Sequence, residues 1–401
     1  MGRGSGAALA HGAARAALAA LSLGALLALP WEPHVDTEFV RDTSYDAAGP
    51  NAPIDAAAFS RATERIPSRG ELLEAWVYLP KGLSKPPPVI IMAHGLGAQK
   101  DVGLGAYGER FAKAGIAAVV FDYRTFGGSD GEPRHWVSVT RHLQDYASVL
   151  DHVQSTNLGG RVDGGRVALW GVSFSGGHVM ETAARLGPQR IKAIVANEPY
   201  LRPPHPLDGH YPDARRTLRM LAAALSDALR RLLGLPPVYV RLAAPISEGA
   251  LALVPLLDSD LPHFKPDGPA RRYQGGWKNK VCARMLFGTL AYYPGRRAAS
   301  ISVPAFFRAG ARDHLAPPDA VRAAAGKVAA ETHVQVLNAS HIEAHPMGLR
   351  PENLDPLLAF LHRHLAVDPA EAAAVAALAS GERAAAAAAA AEVSVQFPET
   401  D

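Results

Sequence analysis

The chain has 401 residues, 48% of them apolar, which is enough to bury a large core and excludes a mainly disordered protein. Its 41 basic and 38 acidic residues leave a net charge of +3, and no basic stripe is interleaved with aromatics, which argues against a nucleic-acid partner. Cys282 is the single cysteine, so no intramolecular disulfide is available.

The first 31 residues carry no acid, and Arg3 and Arg15 precede an uncharged run from Ala16 to Pro30. That run falls short of the about 20 apolar residues that a membrane span needs. It reads as a signal peptide, a weak anchor or an organelle transit segment, so the compartment stays open among secreted, membrane-anchored and organellar. Residues 1–54 read as leader and linker, 55–365 as the globular region, and 366–401 as an Ala-rich tail, including Ala384 to Ala391, with no assignable chemistry.

The globular region alternates short apolar runs with helical patterns. Strands are expected at Glu71 to Leu79, Val89 to Ala93, Ile116 to Phe121, Val167 to Trp170, Ile191 to Val195, Ala305 to Arg308 and Val334 to Leu337. Helical periodicity covers Gly108 to Ala114 and His142 to Val153, and another helix follows from His178. This rhythm predicts an α/β fold with a mostly parallel, doubly wound sheet, whose ligands sit beyond the carboxyl ends of the strands.

Between about 201 and 299 the rhythm breaks. Prolines crowd 203–212, and a helix is expected from Asp213 to Leu233, stopped by Gly234. Leu218, Leu221, Leu225, Leu229 and Leu232 share one face of it, with Arg215, Arg216, Arg219, Arg230 and Arg231 around the rest. An inserted helical cap over the active site is expected, with the leucines packed inward and a membrane-surface helix as the alternative. Val281 to Leu286 carries an apolar helical pattern in which Cys282 packs in the core.

The densest chemical signal is Gly171-Val172-Ser173-Phe174-Ser175-Gly176-Gly177, directly after the Val167 to Trp170 strand. A strand, a tight turn and a helix with serine at the apex expose a nucleophile. Ser173 is preferred because it stands third after the strand's last apolar residue, and Ser175 is its rival. A serine hydroxyl needs a base, and the base an orienting acid. Asp313 follows the Ala305 strand in a Gly/Pro-bounded loop, and His341 follows the Val334 strand. Asp313 is therefore expected to orient His341, and His341 to act as base and acid, with His345 as its rival and His314 too close in sequence to Asp313. Oxyanion donors are expected at the N–H groups of Leu96, in His94-Gly95-Leu96-Gly97, and Phe174. Neither a cofactor nor a metal is expected. His341-Ile342-Glu343-Ala344-His345 lacks the H-E-x-x-H order of a zinc helix, and Gly103-Leu104-Gly105-Ala106-Tyr107-Gly108 does not follow a strand directly, as a dinucleotide loop must.

Several segments together resemble the α/β-hydrolase superfamily, in the branch labelled dienelactone-hydrolase-like or Xaa-Pro dipeptidyl-peptidase-like. They are His94-Gly95-Leu96-Gly97 with Gln99-Lys100-Asp101, Phe121-Asp122-Tyr123-Arg124 through Gly131, Leu169 through His178, the Asp313 loop and His341. The resemblance spans roughly residues 65–365 and implies an α/β-hydrolase fold with a Ser-Asp-His triad. Two positions depart from it. Dienelactone hydrolases use cysteine where Ser173 stands, and relatives often carry His-Phe-Asp where this chain has His341-Ile342-Glu343. Asp122 and Arg124 read as loop-fixing residues. The expected activity is hydrolysis of a carboxylic ester or related acyl bond on a small, mainly apolar substrate. Acyl transfer, Xaa-Pro-type peptidase action and a non-catalytic role are the alternatives. Tyr200, Tyr211, Trp277, Tyr292 and Tyr293 are candidate lining residues. Glu198 is a candidate to grip a peptide amine, and membrane association is expected, if at all, through the N-terminal run or the cap.

Overall fold

The computed structural model describes residues 53–203, 214–248, 251–256, 260 and 277–381, together with 21, 22, 24 and 25. Most of the leader, Tyr211, Asp213 and the Ala384 to Ala391 tract lie outside the described residues.

The main sheet has nine strands: β1 (Ile54–Asp55), β2 (Phe59–Ser68), β3 (Glu71–Pro80), β4 (Pro88–Ala93), β5 (Ala117–Phe121), β6 (Asp163–Val172), β7 (Ala193–Asn197), β11 (Ala305–Gly310) and β12 (Thr332–Leu337). Their order is β1-β2-β3-β5-β4-β6-β7-β11-β12. From β5 to β12 all pairs are parallel, whereas β1, β2 and β3 form an antiparallel edge. Strands β4, β5, β7 and β11 are buried along their whole length. Such two-sided burial explains why they read as continuous apolar runs rather than alternating ones. Strand β2 carries no such run, because Arg61, Glu64, Arg65 and Pro67 interrupt its apolar residues.

Helices cover both faces. α1 (Leu104–Lys113) and α8 (Pro351–His364) set Tyr107, Phe111, Leu357 and Phe360 against Ile90, Met92, Val120 and Trp170. A helical stretch at 369–381, within the Ala-rich tail, buries Val375 and Ala379 in the same layer. On the other face α2 (Val139–Gly160), α3 (Phe174–Leu186) and α6 (Pro318–Ala325) set Tyr146, Val149, Val179, Met180 and Val321 against Ile91, Val119 and Leu169. Odd and even residues of one strand serve opposite layers, as a period of two requires. The glycine-rich stretch 103–108 is the start of α1, where Tyr78 packs against Gly105 and Gly108. Its glycines bring helix and sheet close.

The segment between β7 and β11 holds more strand than its sequence suggests. Alongside α4 (Ala214–Leu232) and α5 (Met285–Leu290), it forms a three-stranded sheet of β10 (Lys280–Cys282), β8 (Tyr239–Pro245) and β9 (Ala252–Leu256). Cys282 therefore lies on a strand, not a helix; it is buried and its thiol pKa is pushed up, first by burial. Asp227 anchors α4. Its carboxylate accepts from the Arg284 side chain and backbone at 2.8 Å, and from the Val238 N–H at 2.8 Å. The leucine stripe of α4 does not pack inward as expected. Met220, Ala223, Ala224, Ser226 and Asp227 are the buried residues, while Leu218, Leu221, Leu225 and Leu232 are exposed. The positions it buries are small or polar apart from Met220, and the stripe is left outside.

Candidate active site

Loops after β4, β6, β7, β11 and β12 meet at one rim, where their parallel strands all end. Ser173 sits between β6 and α3 with φ 55° and ψ −116°, a region that side chains enter only under constraint. The constraint is visible on both sides. The Ser173 N–H donates to the Asn197 carbonyl at 2.8 Å, and the Ser173 carbonyl accepts from the Tyr200 N–H at 2.8 Å. Gly171 is sterically required, since a Cβ there would stand 2.2 Å from the Ser175 carbonyl oxygen. The helix begins at Phe174, four residues earlier than its apolar pattern suggests.

The structure separates the two serines. Ser175 is buried, and its Oγ lies 2.9 Å from the Tyr123 hydroxyl and 3.0 Å from the Tyr146 hydroxyl. Tyr146 donates its one proton to the Trp170 carbonyl at 2.6 Å. Ser175 must then donate to Tyr146 and accept from Tyr123, which leaves it fully engaged. Ser173 Oγ instead lies 3.0 Å from His341 Nε2, and His341 Nδ1 lies 2.7 Å from Asp313 Oδ2. With Nδ1 donating to the carboxylate, Nε2 is the lone-pair nitrogen that faces the hydroxyl.

Each partner is locally held. His341 opens α7 (His341–Met347), whose capping box joins Ser340 and Glu343: Ser340 N–H donates to Glu343 Oε2 at 2.9 Å, and Glu343 N–H to Ser340 Oγ at 3.3 Å. Glu343 also accepts from Arg312 at 2.6 Å. Asp313 Oδ1 accepts from the Leu315 and Ala316 N–H groups, each at 2.8 Å, which leaves Oδ2 for the histidine. Burial works against the imidazolium of His341. The charge and hydrogen bond of Asp313 outweigh it, Glu198 and Asp260 add to them, and the pKa stands above the ordinary imidazole value. The rival histidines lie elsewhere. His345 packs against Tyr107 and Trp170, with burial lowering its pKa to about 4, and His314 Nε2 donates to the Pro255 carbonyl at 3.0 Å.

Leu96 and Phe174 flank the serine. A Cβ on Gly95 would lie 3.3 Å from Ser173 Cβ and 3.9 Å from its Oγ, so the Leu96 loop runs directly beside the hydroxyl. The Phe174 N–H belongs to the first turn of α3, which has no intrahelical acceptor for it. The loop rests on a buried ionic group. Lys100 Nζ donates to Glu74 at 2.6 Å and to Asp122 at 2.7 Å, and the Lys100 N–H donates to Asp122 at 2.7 Å. Arg124 is tied likewise to Asp145 at 2.6 Å.

Elements of the β7–β11 segment lie on this rim. Trp277 Nε1 donates to the Gly97 carbonyl at 2.8 Å, and Leu242 and Val281 crowd the position a Gly97 Cβ would take. Tyr292 and Tyr200 stack with centroids 5.9 Å apart, and both contact Phe174. Tyr293 is exposed under Arg296.

Glu198, named from the sequence only as an amine-gripping candidate, carries a signal that the fold alone reveals. It is fully buried at φ 42°, directly after β7, and neither carboxyl oxygen has a hydrogen-bond partner among the described residues. Burial pushes its pKa up to about 8, against the nearby Arg308 and His341 charges and with that of Asp313. Buried in this way, it is not placed to grip a peptide amine.

A parallel sheet with a strained serine turn at its carboxyl rim defines the class of α/β hydrolases. The comparisons agree. Residues 84–248 match the family described as serine aminopeptidase, S33. The quorum-quenching protein AidA of Acinetobacter baumannii is 34% identical over 272 residues, covering 67% of this chain and 81% of that protein. The polyketide transferase ATR5 of Stachybotrys chlorohalonatus is 30% identical over 173 residues, covering 43% of this chain and 53% of that one. Among solved structures, the α/β hydrolase GrgF from Penicillium shares the fold, with a TM-score of 0.62 at 22% identity, covering 76% of this chain and 99% of that one. The chain belongs to the α/β-hydrolase family and is a hydrolase.

Proposed function

We propose that the protein is a serine hydrolase that cleaves a carboxylic ester or related acyl bond through an acyl-enzyme. The observation that carries this reading is the continuous contact from Ser173 Oγ through His341 to Asp313, at 3.0 and 2.7 Å. Ser173 Oγ attacks the acyl carbon while His341 Nε2 takes its proton, and the carbonyl π-electrons move to oxygen. The oxyanion is held by the N–H groups of Leu96 and Phe174. As the tetrahedral adduct collapses, His341 returns the proton to the leaving alkoxide. Water then attacks the acyl-enzyme, giving its proton to His341, and Ser173 is regenerated with release of the acid. Asp313 keeps the imidazole in the required tautomer and stabilises the transient imidazolium.

Acyl transfer is the second reading, supported by the polyketide transferase among the relatives: an alcohol or amine would replace water in the second half-reaction. The test is labelling by a fluorophosphonate, followed by turnover of p-nitrophenyl esters of graded chain length against aminoacyl-p-nitroanilides. Ser173→Ala should lose the label and roughly 10⁴-fold or more of the turnover, while Ser175→Ala keeps the label. Labelling that survives Ser173→Ala, or a preference for anilides, would remove this reading.

A further inference from the structure

Helix α4 is amphipathic in the wrong direction for a helix that only packs. Its inner face is made of small or polar residues, Ala223, Ala224, Ser226 and Asp227, with Met220 the one large apolar side chain among them. Its outer face presents Leu218, Leu221, Leu225 and Leu232, which are 66, 38, 47 and 82% exposed, and the chain beyond the helix adds Leu233 and Leu235 at 59 and 42%. The neighbouring α5, which packs against α4, adds exposed Phe287 and Leu290. An apolar face of this extent marks an interaction surface.

The charges around it select the partner. Arg215, Arg219 and Arg231 are exposed; at about 100° per residue Arg215 borders the leucine stripe, Arg219 lies one step further round on the same side, and Arg231 lies on the far side, over the Trp136 ring. The helix holds one acid, Asp227, which is buried and paired with Arg284. A second copy of the same face would bring arginine against arginine. An anionic lipid surface matches both features, because leucines enter the acyl boundary while arginine stems snorkel to the headgroups. None of the helices among the described residues is long and apolar enough to cross a membrane.

We propose that the exposed leucine stripe of α4, with Arg215 and Arg219 beside it, docks the protein onto an anionic lipid surface. The docking itself does not depend on the acyl chemistry.

The test is co-sedimentation of the full chain with vesicles of equal parts phosphatidylglycerol and phosphatidylcholine, and with phosphatidylcholine alone. The protein should bind the anionic vesicles more tightly, and added salt should weaken that binding. Leu218→Ser/Leu221→Ser/Leu225→Ser should lower affinity at least about tenfold and leave turnover of a soluble short-chain ester unchanged. Arg215→Gln/Arg219→Gln, which removes no apolar surface, should reduce the preference for anionic vesicles by roughly tenfold. This second variant keeps the test open if the leucine variant fails to fold. Binding equal in wild type and both variants would assign lipid contact elsewhere, such as the N-terminal apolar run, and overturn the proposal. So would an absence of vesicle binding, or a wild-type dimer in solution that the leucine substitutions dissociate.

Discussion

Asp313 Oδ2 accepts the Nδ1 proton of His341 at 2.7 Å, across 28 residues of chain and from a different strand end. This pair sets the protonation of the nitrogen that faces Ser173. A base must be neutral to act, and the His341 pKa is raised. Activity should therefore fall on the acid side with a midpoint above the ordinary imidazole value of about 6.5. Asp313→Asn should lower turnover by on the order of 10⁴-fold and move that midpoint downward, because burial remains while the opposing charge is gone. A pH profile of kcat/KM for both proteins checks this; an unmoved midpoint would mean that the limb belongs to another group.

Glu198 should make the folded state less stable as pH rises. Its folded pKa is about 8, whereas an unfolded glutamate titrates near the ordinary value of 4.5. Between these values the native state keeps a proton that the unfolded state has lost, so rising pH favours unfolding. Glu198→Gln removes the titration. Compared with the variant, wild type should lose stability from about pH 5 to about pH 8 and change no further above that. Urea unfolding of both proteins at several pH values measures the difference, and a gap independent of pH would contradict it.

Lys100→Met should cost about 3–5 kcal/mol, because the carboxylates of Glu74 and Asp122 would stay buried without their shared cation. Asp122 is resisted by burial, yet Lys100 and then His94 hold its pKa below the usual value, so its contribution is present above about pH 4 and is lost as pH falls. The penalty of the variant should accordingly shrink in acid. Equilibrium unfolding at neutral and mildly acid pH tests both statements.

The class of fold was legible because buried parallel strands write themselves as unbroken apolar runs, as in Val-Ile-Ile-Met-Ala of β4. The elbow was legible because only small residues tolerate its close approaches. Other features were not. The strands of the inserted sheet are short and mixed with Arg241, Pro245 and Lys280, so their pairing comes from tertiary contact rather than local pattern. Glu198 looks like any loop glutamate until its burial is seen.

What the chain's order of residues determined was the buried parallel strands of the main sheet, the turn that strains Ser173, and an acid and a histidine placed after two later strands. Local sterics and hydrophobic periodicity are enough for these. Folding in three dimensions decided which serine meets the imidazole, since Tyr123 and Tyr146 occupy Ser175 while the ends of β6 and β12 bring Ser173 and His341 together. It also decided which way the α4 leucines point. Periodicity defines a stripe, but the close packing of Ala223 and Ala224 turns that stripe toward solvent.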